Sequence, residues 1–310
     1  MKRQLLFILV ALVPMLASAQ DVVDINGITY SIFKKGKVAE VIAKSDGEYT
    51  GDVTIPESVD YDGVACSVTS IVNDAFRRCT GLTSLTIGNS VTTIGHKAFM
   101  GCTGLTSLII PNSVISIGNL AFADCSGLTS LTIGSGVQGI GLEAFAGCRN
   151  LETVTCLAER APSRDDAFQY SYIDMATLKV PSKSLKSYFL TAPWFTFGTI
   201  EVIGSDGLVK CAKPTITIAD GKITATSETE DATCYIHCEC ESGKSDETNP
   251  LAPTILLKVT ALATAEGFAP SDIVTATFDL MGMLANAGDM NGDGKLTIED
   301  VTKLIKMVSK

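Results

Sequence analysis

Histidine, tryptophan and basic residues are scarce in this chain of 310 residues. It has two histidines, His96 and His237, and one tryptophan, Trp194. With so few imidazoles, a Ser/His or Cys/His nucleophilic site has almost nothing to be built from. Glu228, Glu230 and Asp231 are close in sequence, but they occupy a polar, turn-like stretch with no sign of a pocket around them. Lysine and arginine number 24 against 34 aspartates and glutamates, a formal net charge of −10, and no basic stripe offsets it. Phosphate backbones and anionic lipid heads repel such a chain, which argues against nucleic acid as a partner. The N-terminal apolar run, Leu5 to Leu16, is shorter than the ~18 residues a spanning helix needs. It follows Lys2 and Arg3 and precedes Ala17-Ser18-Ala19, the three-part pattern of a cleavable export signal. Residues 1–19 are therefore expected to be removed outside the cytoplasm. No membrane span remains after cleavage, and no cysteine follows the cleavage site to carry a lipid.

What the chain does have is a cassette that recurs every 23 residues. Phe76, Phe99, Phe122 and Phe145 each follow an alanine, precede a cysteine by three (Cys79, Cys102, Cys125, Cys148) and a leucine by six (Leu82, Leu105, Leu128, Leu151). A fixed period of about 20–29 residues with leucines at set offsets indicates a solenoid of stacked coils. One coil cannot bury its own apolar face, so its neighbours must. In the coil that starts at Leu82, alternation turns Leu82, Leu85 and Ile87 inward from a short strand and Thr83, Ser84 and Thr86 outward. A turn at Gly88-Asn89 leads to a second inward pair, Val91 and Ile94, and Gly95 is expected to open a short helical or 3₁₀ segment ending at the Phe. The repeat cysteines read as small buried hydrophobes. A ladder of disulfides is the alternative, disfavoured because parallel side chains in one core do not readily present disulfide geometry.

Both ends of the array are degenerate, as caps are. Ile28–Ile32 and Val38–Ala43, joined across Lys35-Gly36, are expected to form a hairpin over the first coil. Val53-Thr54-Ile55-Pro56 resembles a coil strand, separated by an insertion from Val68 and Ile71. At the far end Ala167-Phe168 keeps the step without the cysteine, and Leu178-Lys179-Val180 falls one residue late. Leu185–Leu190 reads as a short helix, with Trp194 and Phe195 closing the last coil.

The pattern L-x-x-L-x-I-[PG]-x-x-V-x-x-I-G-x-x-A-F-x-x-C resembles the bacterial surface leucine-rich repeat of the BspA-like type, over roughly Asp24 to Ile203. The resemblance implies a secreted or cell-surface protein that adheres to host matrix proteins, host surfaces or other cells. It implies no enzyme.

The expected organisation is a signal peptide (1–19), an N-terminal β cap (20–70), a leucine-rich solenoid of strand plus short helix with its C-terminal cap (71–203), and a small antiparallel β-sandwich (210–281). The sandwich rests on five short alternating runs, Thr215–Ile218, Lys222–Thr226, Thr233–Cys240, Ile255–Leu262 and Ile273–Phe278. Their layout is similar to fibronectin-type-III-like modules.

Residues 289–310 form the last unit. Asp289, Asn291, Asp293, Lys295 through its carbonyl, Thr297 and Asp300 stand at positions 1, 3, 5, 7, 9 and 12 of a twelve-residue loop, with Gly294 at position 6. That is the spacing of an EF-hand Ca2+ loop, whose hard oxygen ligands suit the ion. Aspartate at position 12, followed by a single helix with Val301, Leu304, Ile305 and Val308 on one face, resembles one half of a type I dockerin. That resemblance implies cohesin as a partner and suggests an alternative role, an accessory protein of a polysaccharide-degrading assembly. The chain departs from the pattern in having one loop–helix, and in carrying Ile298 and Glu299 where a small hydroxyl pair is common.

Two further groupings are weaker. Cys234, Cys238 and Cys240 share a strand face with Ile236, and His237 lies opposite. Without a C-x-x-C pair a zinc site is disfavoured, and buried thiols or one disulfide, Cys211 being an available partner, account for the cluster. The outward strand positions Thr83, Ser84, Thr86, Thr106, Ser107, Thr129, Ser130, Thr132, Thr153 and Thr155 form a hydroxyl ladder without the aromatics or arginine that anchor protein interfaces. Aromatics gather in the terminal cap (Tyr170, Tyr172, Tyr188, Trp194, Phe195, Phe197), and a glycan ligand would be expected to depend on Trp194 or Tyr188.

Overall fold

A computed structural model describes residues 20–45, 47–162, 164, 166–204, 208–219, 222–242 and 255–279. The N-terminal cap is built on tight turns. Strand β1 (Asp21–Ile25) pairs antiparallel with β2 (Ile28–Phe33), which pairs antiparallel with β3 (Val38–Val41). Asn26 and Gly27 both have positive φ (53° and 82°), the Asn-Gly geometry whose twist suits a two-residue hairpin. The expected hairpin is thus present, with one more strand outside it. After β4 (Gly51–Ile55), the insertion proves to be a second hairpin, β5 (Ser58–Tyr61) with β6 (Val64–Ile71), turned by Asp62-Gly63 at φ 51° and 73°.

From here the 23-residue step becomes two walls. The leucine-bearing strands are β7 (Leu82–Ile87), β9 (Ser107–Ile110), β11 (Ser130–Ile133) and β13 (Thr153–Cys156). Between them lie the two-residue strands β8 (Thr93–Ile94), β10 (Ser116–Ile117) and β12 (Gly139–Ile140). One wall runs β3-β6-β8-β10-β12 in parallel and is continued antiparallel by β2 and β1. The other runs β9-β11-β13 in parallel, through β14 (Thr177–Val180) to β15 (Thr199–Val202), with β4 parallel to β7 as its N-terminal part. Ser107, Ser130 and Thr153 are directly paired, and Thr177 follows one residue late.

The helical or 3₁₀ segment expected in each coil is present only as separate three-residue-spaced turns, such as Ala98 N–H to Gly95 and Met100 N–H to Lys97, and not as a continuous helix. Each such segment is a run of turns interrupted by left-handed residues at two repeating positions: Asp74, Lys97, Leu120 and Glu143 before the Phe, and Arg78, Gly101, Asp124, Gly147 and Tyr170 after it, with φ from 53° to 78°. A left-handed residue every few positions cannot propagate a right-handed helix. Among the described residues the α-helix is α1 (Leu185–Phe189), in the C-terminal cap as expected.

The inward positions are those the alternation assigned. Leu82, Val91, Ile94, Leu105, Val114 and Leu128 are fully buried, as are Phe76, Phe99, Phe122 and Phe145. Beyond the solenoid, β16 (Thr215–Ala219) and β17 (Lys222–Thr226) make one antiparallel pair. The second sheet is antiparallel too, in the order β18 (Thr233–Ser242), β19 (Ile255–Thr264), β20 (Val274–Asp279). The five expected runs are therefore strands, arranged as two small antiparallel sheets. The larger sheet is continuous with the solenoid core through Leu262, with Tyr235 and Ile273 packed against it.

Candidate functional site

The surface most open to a partner is the outside of the leucine-bearing wall. Paired residues in a parallel sheet stack about 4.8 Å apart, so the outward positions form two rows. One row is Asp52, Ser84, Ser107, Ser130, Thr153, Thr177 and Thr199; the other is Thr54, Thr86, Ile109, Thr132, Thr155, Lys179 and Glu201. The hydroxyl ladder expected from the sequence is thus real and in register. Its hydroxyls also serve the backbone: Thr129 Oγ1 donates to the Thr106 carbonyl at 3.1 Å. The second row holds a residue that the repeat pattern hid. Ile109 is 66% exposed, an aliphatic side chain among threonines. It borders an open groove of about 500 Å³ that is also lined by Thr86, Asn89, Asn112, Thr132 and Leu157. The available signal was an isoleucine at a position where the neighbouring coils carry Thr86, Thr132 and Thr155.

Trp194 and Phe195 close the last coil as expected, but the cap leaves no glycan contact at Trp194 or Tyr188. Trp194 and Tyr188 are fully buried. Trp194 gives its indole N–H to the Pro162 carbonyl at 2.7 Å, and Tyr188 its hydroxyl to the Ala158 carbonyl at 2.8 Å. Both side chains close the end coil and neither can meet a glycan. The C-terminal sheet covers the rest of the cap: the His237 ring lies 3.8 Å from that of Phe195, and Tyr235 lies 6.4 Å from Phe189, between centroids. Of the six cap aromatics, Tyr170 and Tyr172 are the exposed ones, and Met175, close by in sequence, is 84% exposed.

Chemistry-bearing groups are placed structurally. Cys66, Cys79, Cys102, Cys125, Cys148, Cys156, Cys211 and Cys234 are free thiols, so the repeat cysteines are small buried side chains, not a disulfide ladder. Cys102, Cys125 and Cys148 each donate to the carbonyl of the Phe 26 residues earlier, at 3.1–3.3 Å. Burial pushes the Cys148 thiol up to about 12 and holds Cys102 and Cys125 well above the ordinary range, so thiolate, the reactive form, is suppressed. Cys238 is exposed, which departs from the expectation of buried cysteines in that strand. The backbone N–H of His96 donates to Asn73 Oδ1, the repeat-equivalent side chain one coil earlier; Asn119 receives the N–H of Leu142 in the same way. These asparagines, at a position that varies along the repeat, tie coil to coil. Glu228, Glu230 and Asp231 are exposed in the turn between β17 and β18. Among the described residues no cluster of three or more His, Cys, Asp or Glu is placed to hold a metal. Asp289, Asn291, Asp293, Lys295, Thr297 and Asp300 lie outside the described residues.

Residues 64–190 match the family model of the BspA type leucine rich repeat region, in six copies. Among solved structures, similarity is found to a leucine-rich repeat protein of T. pallidum (23% identity, 51% of this chain and 71% of that one, TM-score 0.40). A leucine-rich repeat protein from Bacteroides capillosus is 28% identical over 44% of this chain and 97% of that one (TM-score 0.36). One from Bacteroides ovatus is 26% identical over 52% and 57%, again at 0.36. No curated protein matches the chain. The matched residues 64–190 are those that carry the A-F-x-x-C cassette, and the model they match is of the repeat type that this cassette resembles.

Proposed function

We propose that this is a secreted or cell-surface binding protein without enzymatic activity, which adheres to host proteins or other cells through the outer face of its leucine-bearing wall. The supporting observation is that face itself: two in-register rows of small hydroxyls with Ile109 exposed beside a 500 Å³ groove. Such a surface offers two rows of small hydroxyls and an exposed aliphatic contact. Its charged groups, Asp52 and the Lys179–Glu201 ion pair at 3.5 Å, stand at the two ends of the rows, which suits recognition of a protein surface better than chemistry. The test is binding of the mature chain to a panel of matrix proteins and to whole cells, with Ile109→Arg and Thr132→Arg as variants. Loss of adhesion at unchanged thermal stability supports the reading. Adhesion that survives both variants sinks it.

A second reading rests on the spacing of residues 289–300. There Asp289, Asn291, Asp293, the Lys295 carbonyl, Thr297 and Asp300 would hold Ca2+, and the loop–helix would dock to a cohesin module as half of a dockerin does. Calcium titration of the mature chain and of Asp293→Ala, followed by cohesin capture with and without EDTA, separates the two parts. Calcium binding without capture would leave a structural ion and dismiss the docking role.

A further inference from the structure

The two walls of the solenoid are unequal at the N-terminal end. In the first coil β3 stands on one wall and β4 on the other. Past that coil the first wall continues with two more strands, β2 and then β1. Past β4, among the described residues, no strand follows. The missing position is a groove of about 600 Å³, bounded by β4, the β1–β2 turn, Lys44 and Glu48–Thr50. Its floor is apolar and buried: Ile28, Tyr30, Tyr49, Val53 and Val59 are each at most 8% exposed. Its rim carries Glu48 and Asp52, both exposed, while Lys44 is drawn over the Tyr49 ring at 5.0 Å.

An edge strand presents a row of backbone donors and acceptors with no partner strand. Asp52 and Thr54 pair with Ser84 and Thr86, in the rows whose members Ser130 and Thr153 turn their N–H groups to the preceding coil, so the N–H and C=O of Asp52 and Thr54 face the groove. We propose that the groove receives an extended segment of a partner protein, which pairs with β4 as one more strand of the leucine-bearing wall. Alternate apolar side chains of that segment would rest on Tyr30, Val53 and Val59, and the intervening basic ones would meet Asp52 and Glu48. A second copy of this chain fits poorly. It would bring Asp52 and Glu48 toward their own counterparts, and the Gly51/Asp52 register shift and Pro56 are features that discourage pairing of like edges. The proposal goes beyond the adhesive face, since it concerns the end of the solenoid and a different mode of recognition.

The probe is a set of blocked hexapeptides in which valine alternates with lysine, threonine or glutamate, titrated against the mature chain by NMR. The lysine peptide is expected to bind about tenfold more tightly than the glutamate peptide. N-methylation of alternate residues should abolish that binding, because it removes the strand hydrogen bonds. Thr54→Pro, which deletes one outward N–H at an edge where proline is tolerated, should weaken it by about tenfold or more, whereas Thr54→Ala should not. Absence of binding, equal binding by the N-methylated peptide, or indifference to Thr54→Pro overturns the proposal, as does peptide-competed dimerisation through this edge. Ile109→Arg should leave peptide binding intact and Thr54→Pro should leave face-dependent adhesion intact, so the two readings fail separately.

Discussion

Phe99 lies over Phe122 with ring centroids 5.0 Å apart and planes 2° from parallel. The same stacking joins Phe76 to Phe99 and Phe122 to Phe145, and continues to Phe168. Tyr49 terminates the spine at one end, 4.3 Å from Phe76, and Trp194 and Phe197 meet Phe168 edge-on at the other. The 23-residue period places one ring per coil at a separation that suits aromatic contact, worth about 0.5–1.5 kcal/mol per pair beyond area burial.

Phe122→Ala removes a ring with a stacked neighbour on each side. The expected loss is at least about 3–5 kcal/mol, the usual cost of a buried Phe→Ala change. Tyr49→Phe keeps its ring and should cost less, even though it gives up the hydroxyl that accepts from the Thr29 N–H at 3.0 Å and donates to the Ile42 carbonyl at 2.8 Å. Urea unfolding measures both. A Phe122→Ala loss below that of Tyr49→Phe would show that the spine does not unite the coils.

Ser171 occupies the place of the repeat cysteine in the last full coil. Its Oγ donates to the Phe145 carbonyl at 2.8 Å, as Cys102, Cys125 and Cys148 do to the Phe 26 residues earlier, and it also accepts the Cys148 N–H at 2.9 Å. Ser171→Ala leaves two backbone groups without that partner and should cost about 1–3 kcal/mol. Ser171→Cys restores the slot and should recover most of the loss. Equal stability of the alanine and cysteine variants, read from denaturant midpoints, would disprove this role.

The Phe, Leu, Val and Ile positions of the coils were legible because burial repeats with the period, and periodicity reports burial directly. The loss of cysteine at Ser171 read as a break in the pattern because the pattern records residue type, while the fold needs only a donor to the carbonyl. The helical or 3₁₀ segment expected after Gly95 is broken into separate turns for a related reason. Lys97, Leu120 and Glu143 are left-handed without being glycine, so composition gave no warning. The hairpins at Asn26-Gly27 and Asp62-Gly63 did carry a local signal, since both dipeptides favour two-residue turns. Ile109 was obscured because an aliphatic residue in a leucine-rich strand reads as core unless its alternation phase is followed. Trp194 closes the last coil as its position indicated, whereas the burial that bars Trp194 and Tyr188 from a glycan is not written in the sequence, which cannot show which cap aromatics meet solvent.

Gly139 and Gly141 are two residues apart and should respond oppositely to alanine. A Cβ on Gly141 would sit 2.5 Å from the Gly118 backbone and press on the Asn119 nitrogen, because the stacked coils approach closely at Gly95, Gly118 and Gly141. A Cβ on Gly139 meets nothing within 4 Å, and its φ is not left-handed. Gly141→Ala must push two coils apart and is expected to cost about 1–3 kcal/mol, as overpacking does, or more. Gly139→Ala should be neutral or gain about 0.4–1 kcal/mol by restricting the unfolded chain. Thermal melts of the two variants make the comparison. Similar melting shifts would mean that the coil spacing is softer than the contacts indicate.

Alkaline pH should unfold the protein through its buried thiols. Cys148 is raised from an ordinary 9.0 to about 12 and Cys156 to about 11, in both cases chiefly because burial disfavours the thiolate. Cys102 and Cys125 are shifted in the same direction by burial, with neighbouring thiols adding to it. A group whose folded pKa is raised gives its full stability below the unfolded pKa and loses it as pH rises toward the folded one. The unfolded chain releases these protons from about pH 9 while the folded chain retains them, so stability falls by about 1.4 kcal/mol per thiol for each pH unit between those limits. Near neutrality the same thiols should leave stability flat with pH. Cys125→Ala should lower stability at pH 7 through the lost packing, yet make the decline between pH 9 and 10.5 shallower by the share of one thiol. Urea unfolding at a series of pH values gives both slopes. Parallel slopes for the two proteins would show that Cys125 titrates alike in the folded and unfolded chains, contrary to its burial at the centre of the stack.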